Sequence, residues 1–106
     1  MANPWRGEVT LVIDGAPHVL RLTLGALAEL EADLKADTLV DLVARFEGGG
    51  CSSRDVLALI VAGLRGGGWR GTAADLLAAE IEGGPLAAAR VAAELLARAF
   101  VPVGET

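Results

Sequence analysis

Glycine comes in clusters along this chain, at Gly48–Gly50, Gly66–Gly68 and Gly83–Gly84, and each cluster closes an apolar run. That arrangement permits only short helices there. Glycine costs about 1 kcal/mol in a helix interior, and it is favoured just past a helix end, where the backbone turns left-handed. The opposite ends of the same runs carry start signals. Thr38 precedes Asp41, Ser52 precedes Asp55 and Thr72 precedes Asp75, each by three positions. A hydroxyl followed three residues later by an acid is a capping box, here with Asp in place of the more usual Glu or Gln. Between these bounds lie Leu39–Leu42–Val43–Phe46, Val56–Leu59–Ile60–Leu64 and Leu76–Leu77–Ile81, at helical spacing.

Two further helices flank these three. Leu27, Leu30 and Leu34 share one face, with Lys35 near the end, where a cation suits the helix dipole. Pro85 sits where a final helix starts, running to about Phe100 before Pro102. Upstream the period changes from helical to twofold. Val9, Leu11 and Ile13 alternate with Glu8, Thr10 and Asp14, "DGAP" supplies a turn, and "HVLRLTL" alternates again with Leu20, Leu22 and Leu24 on one face. A lone hairpin is marginal in water, so this one is expected to lay Leu20 and Leu22 on the helices, with Arg21 and Thr23 outward. The expected architecture is α+β, mainly α: an N-terminal β-hairpin packed on about five short helices. It is one domain over 1–106, with the hairpin at 7–23, the helical part at 24–101, and loose termini at 1–6 and 102–106.

The segment "GLRGGGWRGT", Gly63–Thr72, invites comparison with phosphate-binding loops. A Walker loop needs a Lys before its Ser or Thr and a strand before its glycines, and this segment has neither. A loose G-x-G-x-x-G match at Gly66–Gly71 also follows a helix instead of a strand. The helix-end reading accounts for every residue here except Trp69. One of these glycines is expected to have positive φ.

With 106 residues, 53% of them hydrophobic and 4% aromatic, the chain can bury one mainly aliphatic core. A net charge of −5 argues against a nucleic-acid partner, whose phosphates need Lys and Arg. The single cysteine, Cys51, forms no internal disulfide and fits a reducing, cytoplasmic setting. No charged start followed by an apolar run marks a secretory signal. The longest apolar stretch, Val56–Leu64, has nine residues against the roughly twenty a membrane span requires.

Nothing calls for catalysis. His18 and Cys51, the only residues of their kinds, would make a nucleophile–base pair without a third, orienting group. No set of metal ligands stands at a recognisable spacing. The chain is expected to be no enzyme, with no catalytic, cofactor-binding or metal residues. Two apolar features exceed what a simple bundle needs. Val56–Leu64 is apolar all round, which places it at the centre of the core or under a partner. The final helix carries a stripe of Leu86, Ala89, Ala93, Leu96 and Phe100, with Val91 and Leu95 on roughly the opposite side. That second side is either sandwiched internally or offered to another chain.

In order, "RGEVTLVIDGAPHVLRLTLGALAELE", "RFEGG", "RDVLALIVAGLRGGGW" and "GGPLAAARVAAELLARAF" resemble the small tail-gene proteins of gene transfer agents and related phages. The resemblance spans nearly the whole chain, and "LRLTLGALAELE" and "GLRGGGW" are its most specific parts. The family looks like phage tail assembly chaperones and is also labelled a tail tube family. It implies a non-enzymatic chaperone that binds the helical, apolar tape measure protein and keeps it soluble until the tail tube polymerises around it. The tail tube protein is a second implied partner, and a homo-oligomer a further option. The competing implication is a structural tail component, a tube or connector subunit. Residues expected to meet a partner are Trp69, Val91, Leu95 and Phe100.

Overall fold

The computed structural model describes residues 7–34, 44 and 52–100. Strand β1 (Val9–Ile13) pairs antiparallel with β2 (Ala16–Leu20), in the register Val9↔Leu20 to Ile13↔Ala16. The two turn residues, Asp14 and Gly15, have φ of 52° and 79°. Positive φ at both positions is the type I′ turn, whose twist matches the strands it joins. Val9, Leu11, Ile13 and Leu20 face the core as the alternation predicts.

The hairpin stops earlier than the alternation suggests. After Leu20 the chain leaves the sheet, and the Arg21 N–H donates to the Gly63 carbonyl at 2.9 Å. Thr23 then starts helix α1 (Leu24–Leu34), its hydroxyl accepting from the Ala26 N–H at 3.1 Å. Leu24 is therefore the first residue of a helix and 83% exposed, instead of a strand residue beside Leu20 and Leu22. Leu22 is half-buried against the core. On α1, Ala26 and Leu30 are buried and Leu27 half-buried.

Helix α2 (Ser53–Gly66) opens with the predicted box: the Asp55 N–H donates to Ser52 Oγ at 3.2 Å and the Ser52 N–H to Asp55 Oδ2 at 2.9 Å. It is the central element, packed on α1 and β2 and on the helices that follow, which is why Leu59 to Leu64 are buried without a break. Its far end is a Schellman cap. Gly68, at φ 105°, is the left-handed residue, the Trp69 N–H donates to Leu64 O at 2.9 Å, and the Gly68 N–H to Arg65 O at 3.0 Å.

Helix α3 (Ala73–Leu77) has the same box, Thr72 with Asp75, but only five residues. The run Leu76–Leu77–Ile81 is not one helix. Ile81 forms an antiparallel bridge with Ile13, the Asp14 N–H donates to Glu80 O at 2.7 Å, and the Glu82 N–H to Val12 O at 3.0 Å. The outer edge of β1 thus takes the backbone bonds that would have continued α3. Gly83 and Gly84, at φ 86° and 71°, then redirect the chain into helix α4 (Gly84–Phe100), with Pro85 in its first turn.

The structure describes four helices; the box at Thr38–Asp41, the apolar residues Leu39, Leu42, Val43 and Phe46, Gly48–Gly50 and Cys51 lie outside the described residues. No helix among the described residues is long and apolar enough to cross a membrane.

Candidate functional site

The buried face of α4 is Ala88, Val91, Ala92, Leu95 and Leu96, a stripe at helical spacing. Of the two options for the Val91–Leu95 side, internal burial is the one found, and part of the other stripe turns outward. Val91 is 8% and Leu95 1% exposed, whereas Leu86 is 70% exposed and Ala93 also faces outward. The selector is Gly63 on α2. A Cβ at Gly63 would stand 2.8 Å from Leu95 Cδ1 and 3.2 Å from Leu20 Cβ, so the missing side chain makes the notch that Leu95 fills. Val91 and Leu95 pack into the core here.

Trp69 is also structural in this fold. It is the residue after the left-handed glycine of the α2 cap, and its half-buried ring packs on the core. A Cβ at Gly71 would strike the indole, so Gly71 leaves room for it. The Phe100 side chain lies outside what the structure describes. His18 is half-buried on β2 opposite Leu11, and its suggested partner Cys51 lies outside the described residues.

The surface feature that remains was not legible as a motif. An apolar groove of about 610 Å³ runs between the N-terminal halves of α2 and α4, with α3 and the 79–81 segment along it. Val56, Leu57 and Ile60 line it from α2, Leu76 and Leu77 from α3, Ile81 from the connection, and Pro85, Ala88 and Ala89 from α4. Ser53 and Arg54 are the polar side chains at its margin. Leu77, on its wall, is 73% exposed, and the exposed Leu86 follows Pro85 directly. Local chemistry sets these walls. The Ser52 and Thr72 boxes fix where α2 and α3 begin, and the Gly84 N–H, bonded to Ile81 O at 2.9 Å, sets the departure of α4.

Small-molecule sites of this size combine apolar walls with several converging polar groups that fix orientation. Here one hydroxyl and one guanidinium stand at the edge of a leucine-, valine- and alanine-lined trough. Such a surface suits apolar side chains presented by another helix at i, i+3, i+4 spacing. Of the four residues expected to meet a partner, Trp69, Val91 and Leu95 lie away from the groove. Leu77, Ile81 and Pro85 line the groove and are not among those four. Leu77 and Ile81 belong to the apolar run Leu76–Leu77–Ile81, interrupted where a helix would have to continue, and Pro85 marks the start of the final helix.

A family model described as "Phage tail tube protein, GTA-gp10" matches residues 6–101. No curated protein and no solved structure matches the chain.

Proposed function

Because the chain belongs to the phage tail tube protein, GTA-gp10 family, we propose that it serves tail assembly as a non-enzymatic chaperone, holding an apolar helical segment of the tape measure protein. The observation that carries this reading is the open groove of about 610 Å³ with Leu77 exposed on its wall. Exposed contiguous apolar surface marks interaction sites, and an aliphatic groove accepts helices of varied sequence. That tolerance suits a client which is long and irregular. The net charge of −5 favours solubility of the loaded complex. The site of action is the cytoplasm, where tails are put together, and the tail tube protein is the second partner. No catalytic step or cofactor belongs to this role.

Co-expression tests it. The tape measure protein is expected to be insoluble alone, soluble with this protein, and to co-purify with it. Equal solubility in both cases overturns the chaperone reading. One observation favours a second reading, a structural tail component: the family description itself names a tail tube protein. Mass spectrometry of purified particles separates the two, since a structural component is present at stoichiometric levels and a chaperone is absent.

A further inference from the structure

We propose that Asp14, at the tip of the hairpin, is a positioning residue for the groove, holding the 80–82 segment so that Ile81 forms part of the groove wall. The inference rests on the groove being the partner site.

Asp14 combines two features. It is the one non-glycine residue with positive φ among those described, and its side chain reaches across to another segment. Asp14 Oδ1 accepts from the Glu80 N–H at 2.8 Å, while the Asp14 N–H donates to the Glu80 carbonyl at 2.7 Å. The Glu82 N–H donates to Val12 O at 3.0 Å on the same edge. Between the end of α3 at Leu77 and the start of α4 at Gly84 the chain has no helix of its own. Its attachment to the hairpin edge is what holds it in place. Ala79 and Ile81, on either side of the clamped Glu80, both line the groove. The hairpin takes no direct part in the groove lining, yet its turn sets where one wall stands.

Two substitutions separate the carboxylate from the turn. Asp14→Gly and Asp14→Asn both tolerate a left-handed backbone, and only Asn keeps an oxygen that can accept from Glu80. Two readouts apply: amide hydrogen exchange at Glu80 and Glu82, and binding of the fluorescent apolar probe anilinonaphthalene sulfonate. Loss of probe binding in Leu77→Glu, a change at an exposed groove position, locates the probe. In Asp14→Gly, exchange at Glu80 and Glu82 is expected to quicken about fivefold, and probe binding to weaken about two- to fivefold, the scale of one hydrogen bond. Asp14→Asn is expected to stay close to wild type in both.

Unchanged exchange at Glu82 in Asp14→Gly overturns the proposal. So does faster exchange with unaltered probe affinity. If the wild-type protein binds no probe, or Leu77→Glu leaves binding intact, the groove fails as a binding surface and Asp14's positioning role falls with it. The exchange rates still report separately on whether the clamp exists.

Discussion

The two ends of α2 meet their neighbours in opposite ways. At the C-terminal end, Gly63, Gly66 and Gly67 form a face without side chains. A Cβ at Gly66 would collide with the Arg21 carbonyl oxygen, and one at Gly67 with the Val19 carbonyl oxygen. The backbone after β2 is thereby drawn onto the helix, and Leu95 fills the notch at Gly63. At the N-terminal end, Val56, Leu57 and Ile60 carry full side chains and line an open groove. Within one helix, glycine spacing decides where the molecule closes, and branched apolar side chains facing a five-residue helix decide where it stays open. The pattern shows why apolar content alone does not locate a binding surface. Both ends are apolar, and only one has room.

The largest test strikes the closed end. Gly67→Ala places a methyl group against a backbone oxygen that cannot move without shifting β2. The expected cost is more than about 3 kcal/mol, or failure to fold, by denaturant titration. A change below about 1 kcal/mol would break the comparison.

The notch is tested next, by a double-mutant cycle. Leu95→Ala alone is expected to cost about 2–3 kcal/mol, because a buried leucine leaves a cavity. Gly63→Ala alone is destabilising through crowding of Leu95 and Leu20. Combined, the two are expected to cost less than their sum by about 1 kcal/mol, since the new methyl group occupies part of the space Leu95 leaves. Strict additivity would mean that Gly63 does not select Leu95.

At the open end the expectation reverses. Leu77→Ser changes an exposed groove position and should alter stability by no more than about 0.5 kcal/mol. It should lower recovery of the co-expressed tape measure protein. A stable variant that still recovers the client in full would move the binding surface elsewhere.

The smallest effect belongs to the Arg65–Glu29 ion pair, 3.2 Å apart beside the closed end, with side chains 44% and 54% exposed. Arg65→Ala should change stability by less than about 0.5 kcal/mol, a difference that vanishes at high salt. A larger loss would show that charge contributes to closing this end.

What the sequence made legible was chemistry that acts over three or four residues. Ser52 with Asp55, Thr72 with Asp75, and the Asp14–Gly15 turn each satisfy local backbone groups, so their spacing reports them directly. The order of a hairpin followed by helices was legible for the same reason, and so was the positive φ within Gly66–Gly68, found at Gly68. What escaped depends on distant partners. Ile81 looks helical until β1 supplies a competing edge. The buried side of α4 is ambiguous between two leucine-bearing faces until a glycine on another helix chooses Leu95. Leu24 continues an alternation that Thr23 ends by capping a helix. The groove is empty space between elements, and no residue pattern encodes it directly.

The contact between Arg21 and Gly63 joins positions 42 residues apart in the chain (63 minus 21). That separation imposes an order in time. A hairpin with a two-residue turn closes within microseconds, from contacts entirely its own. Docking it must wait for loop closure, and on the ribosome for the glycine face to emerge. At about 5–20 residues per second, the interval between finishing β2 and exposing Gly67 lasts seconds. Throughout it, Val9, Leu11, Ile13 and Leu20 have no helix α2 to cover them. The glycines that make the finished molecule tight at this end also delay the docking of the hairpin, so a nascent chain stalled before Gly67 carries an uncovered apolar sheet.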